Sequence, residues 1–86
     1  MGKYSKYQPT IEIQKKLGER VRSLRLNAGL SQEELAFRSN IHRTYMSEVE
    51  LGKRNISLKN IEAISKALGT SISSLFDFDK THEKKA

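Results

Sequence analysis

The sequence feature that most constrains the fold is a regular alternation of helix-start and helix-stop residues along a short chain. Ser and Thr side chains cap helix N-termini, whereas Gly and Asn are common where helices end. The chain has only 86 residues and a single proline, Pro9, and these helix-start and helix-stop residues divide it into short helices. The punctuating residues, in chain order, are Thr10, Gly29, Ser31, Asn40, Gly52, Ser57, Gly69 and Ser71. The pattern predicts an all-α fold, a compact bundle of five helices.

Apolar residues at helical spacing lie between these signals. Thr10 is expected to cap the first helix, over residues 11–28, whose apolar positions share one face. Ser31 and Glu34 have the spacing of a capping box, in which the serine side chain and the glutamate side chain each bond the other's backbone N–H. That box predicts a second helix over residues 32–38.

Three further helices follow. The third is expected over residues 43–51, with Met46 and Val49 facing inward. The fourth begins after Ser57, and its inward stripe is expected to start with Leu58. The fifth is a short helix capped by Ser71.

Composition sets the broad class of protein. The chain has no cysteine, no apolar run near the ~20 residues of a membrane span, and no apolar segment typical of a secretory signal. A cytoplasmic protein without membrane association is expected. Its net charge of +6 is compatible with a polyanionic partner. Residues 1–10 are expected to form a flexible basic arm, 11–78 the folded domain, and 79–86 a charged flexible tail.

The segment LSQEELAFRSNIHRTYMSEVELGKRNISLKNIEAISKALG joins two short helices by a tight turn, with small Ala36 at the crossing and Ile41 beneath the turn. It resembles the helix-turn-helix domain of the phage-repressor (Cro/repressor-like) superfamily, over about residues 13–78. Asn40 departs from that pattern, which usually has Gly, but Asn tolerates left-handed backbone. The residues that carry the resemblance are Gln32, Leu35, Ala36, Ile41, Val49, Glu50 and Gly52.

Within that superfamily, the HRTY run, the short length and the GKRN loop resemble the controller proteins of restriction-modification systems. Those are small dimeric DNA-binding proteins that activate or repress endonuclease genes. Similar runs occur in prophage repressors and antitoxins, which stay open as alternatives. The resemblance implies double-stranded DNA with a palindromic operator as the partner.

The resemblance also implies that the third helix is the recognition helix, entering the major groove. Arg43 is suited to guanine, and Thr44 and Ser47 offer hydroxyls to base edges. Tyr45 is expected to lie against a thymine methyl or a flexible base step. Glu48 is expected either to accept a hydrogen bond from cytosine or to hold Arg43.

Two further sets of residues are implied by the resemblance. Arg25 and Glu50 match an ion pair that packs the first helix against the third. The other set is expected to contact the DNA backbone and comprises Gln32, His42, Lys53, Arg54, Asn55 and Lys59.

The end of the chain suggests a surface for self-association. A single recognition helix reads only a few base pairs, so such proteins pair to occupy successive major grooves. The segment SISSLFDF carries more apolar residues than a small core requires. We expect a homodimer burying part of Ile72, Leu75 and Phe78; the alternative is that these residues only close the bottom of the domain.

An enzyme is not expected. The chain has only two histidines, His42 and His82, and it lacks phosphate-binding loops and nucleophile motifs. No cofactor, metal or small-molecule ligand is implied. The remaining rival is a protein-interaction module that reuses the fold. Such a module should present apolar residues on the exposed face of the third helix, where this chain has Arg43, Thr44 and Ser47.

Overall fold

A computed structural model describes residues 9–79, with side chains from residue 12 onward. Every regular element in this range is helical, as predicted. The first helix begins at Pro9, so Thr10 lies inside it and the prediction that Thr10 caps it is wrong. Proline fits the first turn of a helix, where a backbone N–H would have no partner within the helix. The helices are α1 (Pro9–Asn27), α2 (Gln32–Ser39), α3 (Arg43–Glu50), α4 (Leu58–Leu68) and α5 (Ile72–Leu75). Most of the predicted arm and tail lie outside the described residues.

Serine caps begin three of these helices. The hydroxyls of Ser31, Ser57 and Ser71 each accept a hydrogen bond from the backbone N–H three residues later. Glu34 returns a bond to the Ser31 N–H at 2.8 Å, which completes the predicted capping box. Because these bonds satisfy N–H groups that a helix leaves free, the serines determine where each helix starts.

The core lies where α1, α2, α3 and α4 meet. α1 packs against α3, and α2 packs against both α3 and α4. Leu35, Met46 and Ile64 are completely buried. The other buried members of this cluster are Leu17, Val21, Leu30, Ala36, Ile61 and Leu75.

The prediction that Leu58 lies in the core is wrong. Leu58 is 84% exposed, although it leads the stripe that continues through Ile61 and Ile64. It is the first residue of α4, and the packing of the other helices begins one turn later. Helical periodicity alone cannot show where along a helix the core stops.

No helix in the described part of the chain is long and apolar enough to cross a membrane.

Candidate nucleic-acid interface

The turn between α2 and α3 is closed by backbone bonds around Asn40. Asn40 adopts left-handed backbone, with φ 57° and ψ 43°. The Ile41 N–H then donates to the Ala36 carbonyl at 2.9 Å, and the Asn40 N–H donates to Phe37 at 3.1 Å. These bonds end α2 and direct the chain into α3. Ile41 packs against the core beneath the turn, as predicted.

α3 has one buried face and one polar face. Met46 and Val49 are buried, whereas Arg43 and Thr44 are exposed. The Arg43 guanidinium forms no hydrogen bond or ion pair with any residue in the range 9–79. A long, permanently charged and unpaired side chain at the start of an exposed helix face is available to a ligand.

The polar face continues onto the start of α2. A shallow depression of about 170 Å³ is lined by Gln32, Arg43, Thr44 and Ser47. The structure therefore brings together one residue from α2 and three from α3 that were predicted to contact DNA. Their groups are an amide, a guanidinium and two hydroxyls, which are suited to hydrogen bonding with base edges and phosphates.

His42 caps α3. Its Nδ1 accepts a hydrogen bond from the Thr44 N–H at 3.2 Å. Because Nδ1 accepts this bond, Nε2 is the ring nitrogen that is left to donate. His42 is exposed, and its Nε2–H is thus a donor at the N-terminus of α3.

A buried ion pair connects α1 with the end of α3. The Arg25 Nε donates to Glu50 Oε2 at 2.7 Å, and Nη2 donates to Oε1 at 3.0 Å. Its Nη1 donates to the Leu30 carbonyl at 2.9 Å. The two residues are 7% and 8% exposed. The hydrogen bonds to Glu50 raise the pKa of Arg25, against the opposing effect of burial.

Gln32 is held by the same carboxylate. Its Nε2 donates to Glu50 Oε1 at 3.0 Å. An amide nitrogen has two protons, so one N–H of Gln32 remains free of Glu50. The ion pair thereby orients Gln32, a residue predicted to bind a DNA phosphate, as well as packing α1 against α3.

α3 ends at a glycine in close contact with α1. Gly52 has φ 77°, its N–H donates to Val49 at 3.0 Å, and the Lys53 N–H donates to Glu48 at 2.9 Å. This pair of bonds is a Schellman motif. A β-carbon at Gly52 would lie 2.9 Å from the Lys15 α-carbon.

A second glycine, on α1, makes the same approach possible. A β-carbon added to Gly18 would collide with the Val49 carbonyl oxygen and lie 2.7 Å from that of Glu50. The last turn of α3 therefore rests directly on the backbone of α1.

Glu48 pairs with Arg54, not with Arg43 as one alternative held. The Arg54 Nε donates to Glu48 Oε1 at 2.7 Å. The Arg54 Cζ lies 4.7 Å from the centroid of the Tyr45 ring. The partner is Arg54 because the Schellman turn brings the loop after α3 back over this face of the helix. The remaining predicted backbone ligands after α3, which are Lys53, Asn55 and Lys59, are exposed.

The expected self-association surface needs one correction. Leu75 is 1% exposed within a single chain, so it has almost no surface left for a second protomer, and its place in the interface is wrong. It faces the core because α5 packs on both α1 and α4. Ile72 and Phe76 are exposed, and Phe76 contacts Phe78 edge to face, with ring centroids 5.9 Å apart.

One structural arginine was not predicted. Arg20 is buried, and its Nε donates to the Ser74 carbonyl at 2.8 Å while its Nη2 bonds Ser74 Oγ at 3.2 Å. These bonds hold α5 against α1. Arg20 lies three residues after Leu17 and one before Val21, so the helical spacing of α1 does place it on the inward face.

A larger open depression of about 740 Å³ lies on the exposed side of α2. It is bordered by Phe37, Glu33, Arg38 and the Ser31–Glu34 capping box. It contains none of the residues predicted to bind DNA. Residues predicted to contact DNA line the smaller depression at α3 instead.

The closed turn, the buried face of α3 and its polar outer face define a helix-turn-helix protein. Comparison with protein families agrees, since a helix-turn-helix family model matches residues 21–75. The chain belongs to this helix-turn-helix family, as its sequence motif predicted. It is 51% identical over 70 residues to control protein C.BamHI of Bacillus amyloliquefaciens, covering 80% of this chain and 86% of that protein.

Solved structures give the same result. The restriction-modification controller protein C.AhdI from Aeromonas hydrophila is 48% identical, with a TM-score of 0.72, covering 73% of this chain and 96% of that one. C.Esp1396I, determined bound to a 19 base pair DNA duplex, is 36% identical with a TM-score of 0.73, covering 84% and 97% respectively. These relatives are control proteins, not enzymes.

Proposed function

We propose that this protein is a sequence-specific, double-stranded DNA-binding transcription regulator. More specifically, it is a restriction-modification controller that acts in the cytoplasm as a dimer on a palindromic operator. The observation that carries this proposal is that Arg43, which has no ion-pair partner among the described residues, clusters with Gln32, Thr44 and Ser47 on the outer side of α3. The similarity to C.BamHI, C.AhdI and C.Esp1396I supports the controller function.

In this proposal the first turn of α3 enters the major groove. Arg43 forks onto guanine, while Thr44 and Ser47 contact neighbouring base edges. Tyr45 lies against the adjoining base step. Gln32 and His42 donate to phosphates at the two helix N-termini, where N–H groups and the helix dipole favour anions.

The loop after α3 and the start of α4 supply the remaining backbone contacts. Lys53, Arg54 and Asn55 are exposed in that loop, and Lys59 is exposed in the first turn of α4. Three of these four side chains are cationic, and such side chains bind phosphates without regard to sequence.

A protein-interaction module is less well supported. That function requires an apolar outer face on α3, whereas the α3 side chains that line the depression on this face are a guanidinium and two hydroxyls. The apolar side chains of α3, Met46 and Val49, are buried in the core.

A salt titration tests the proposal. The affinity for a duplex from the DNA upstream of the gene, and for a random duplex of equal length, is measured by fluorescence anisotropy over a range of salt. A linear fall of log K with log[salt] and a preference for the upstream duplex are expected. Salt-independent binding, or equal affinity for both duplexes, would contradict sequence-specific DNA recognition.

A pair of matched lysine variants locates the contact. Lys53→Ala should reduce the magnitude of the salt slope by about one on both duplexes if Lys53 neutralises one phosphate. Lys66→Ala is the control, because Lys66 is exposed in the last turn of α4 and pairs with Glu62 at 3.8 Å. Equal slopes for Lys53→Ala and wild type would remove Lys53 from the interface.

A further inference from the structure

We infer that Glu48 is a positioning residue for DNA binding: together with Tyr45 it fixes the Arg54 guanidinium beside α3, and it acts on affinity through Arg54 instead of contacting a base. This inference rests on the proposed function, because it requires the outer face of α3 to lie against duplex DNA. It replaces the expected contact between Glu48 and cytosine.

Two contacts in different directions hold the guanidinium. The Nε edge donates to Glu48 Oε1 at 2.7 Å, and Cζ lies over the Tyr45 ring, 4.7 Å from its centroid. The hydrogen bond restrains the direction of the group, and the cation–π contact holds its charged centre over the ring. Tyr45 and Glu48 are three residues apart on α3, so they lie side by side on the helix surface.

The remaining donors of Arg54 are free to bind a ligand. Its Nη1 and Nη2 form no hydrogen bond with any residue between positions 9 and 79, and 47% of its side chain is exposed. Two parallel N–H donors on a rigid fork match the oxygens of a phosphate. Because the guanidinium is held already, less side-chain entropy is lost when the phosphate binds.

The backbone of Glu48 holds the same loop. Its carbonyl accepts the Lys53 N–H at 2.9 Å, one residue before Arg54. Glu48 therefore restrains the loop through its main chain and the guanidinium through its side chain. A substitution at position 48 removes only the side-chain restraint. That restraint can therefore be tested separately from the backbone hydrogen bond.

Two other roles for Glu48 make different predictions. A glutamate in contact with cytosine would act independently of Arg54. A glutamate that sequesters Arg54 would compete with phosphate, so its removal would release a cation to the DNA. All three roles are separated by the sign of the coupling between positions 48 and 54.

The experiment is a double-mutant cycle on operator affinity with wild type, Glu48→Ala, Arg54→Ala and the double variant. In the Arg54→Ala background, loss of an unpaired anion near DNA should strengthen binding. In the wild-type background, the same substitution also releases Arg54, so its effect should be less favourable by about threefold or more. Glu48→Gln retains an oxygen that accepts from Nε and should restore part of this difference.

A measurement on the free protein gives an independent readout. The Nε–H resonance of Arg54 should exchange slowly with water in wild type and Glu48→Gln, and rapidly in Glu48→Ala. Equal exchange in wild type and Glu48→Ala would overturn the inference. Zero coupling in the cycle would overturn it in favour of a base contact, and coupling of the opposite sign in favour of sequestration.

Failure of the proposed function is distinguishable. If wild type shows no salt-dependent binding to duplex DNA, both conclusions fall together. If wild type binds but the cycle shows no coupling of the expected sign, only the role of Glu48 falls.

Discussion

Glu50 is the residue through which three helices are connected. Its carboxylate accepts hydrogen bonds from Arg25 of α1 and from Gln32 of α2, while Glu50 itself ends α3. Such a buried pair contributes little net stability compared with apolar residues, but its disruption leaves a buried charge without a partner. The pair serves to orient α3 and Gln32.

Replacing Glu50 by Ala should lower the free energy of unfolding by about 3–5 kcal/mol, because Arg25 stays buried and charged. Urea unfolding monitored by circular dichroism measures this change. Glu12→Ala is the control, since its pair with Lys16 is exposed and such pairs contribute about 0–1 kcal/mol. A loss for Glu50→Ala no larger than that of the control would contradict the orienting role.

Replacing Arg43 should weaken DNA recognition without changing the free energy of unfolding. Arg43→Ala should weaken operator binding by about 1–3 kcal/mol, the usual contribution of a bidentate arginine–guanine contact. Binding to random duplex should change much less. Titration of both duplexes with wild type and variant provides the measurement, and equal losses on the two would assign Arg43 to a phosphate.

At the scale of single elements, α2 and α3 are each held at both ends by local bonds. The capping box begins α2, Asn40 ends it, His42 begins α3 and Gly52 ends it. Each helix has only eight residues, a length at which isolated helices are unstable in water. The caps and the packing of Leu35, Met46 and Val49 together stabilise the motif.

The capping box makes the start of α2 sensitive to acid. The hydrogen bond from the Ser31 N–H lowers the pKa of Glu34, with a smaller effect of the Ser31 hydroxyl bond. Since the folded-state pKa is the lower one, the unfolded state binds the proton more readily. The stabilisation is present above the ordinary carboxyl pKa of about 4.3 and is lost as pH falls through the folded value.

Glu34→Gln should therefore reduce the fall in melting temperature on acidification below about pH 5, because glutamine keeps an oxygen acceptor but does not titrate. Thermal unfolding of both proteins between neutral and acidic pH measures the difference. Glu33→Gln is the matched control, because Glu33 is an exposed neighbour on the same helix. Identical pH profiles for wild type and Glu34→Gln would show that the box does not contribute to acid stability.

At the scale of the whole molecule, α5 is placed by contacts distant in sequence. Arg20 bonds Ser74 across 54 residues of chain, and Leu75 inserts into the core. This arrangement leaves Ile72 and Phe76 on the surface, beside a partly buried Phe78. We propose that these residues form the dimer interface, which positions two recognition helices about 34 Å apart for successive major grooves.

Ile72→Glu should dissociate this dimer, because it introduces a charge into a surface that becomes apolar and buried. Analytical ultracentrifugation of wild type and variant, with and without operator DNA, measures the assembly. Phe37→Glu is the control, since Phe37 is 85% exposed on α2, away from α5. A wild-type monomer at tens of micromolar that binds the operator one to one would refute the dimer, whereas a dimer unaffected by Ile72→Glu would relocate the interface. Phe78→Ala is a second probe of the same surface.

The sequence by itself determined the number of helices, their approximate ends and the helix-turn-helix motif. Helix caps, helix ends at residues with left-handed backbone, and helical spacing all depend on residues close in the chain, so they can be recognised from the sequence alone. Asn40 illustrates this, since its left-handed backbone was expected from its side chain and its position alone.

Only the tertiary structure decided which of these residues meet across the fold. Leu58 and Leu75 are both leucines on the apolar stripe of a helix, yet one is exposed and the other buried, because α1 and α4 cover the Leu75 side of α5 whereas no helix in the described range covers the first turn of α4. Glu48 has Arg54 as its partner since a turn after α3 reverses the chain. Such contacts depend on the relative placement of whole elements, which is determined by the packing of many side chains at once and is not encoded in any local pattern.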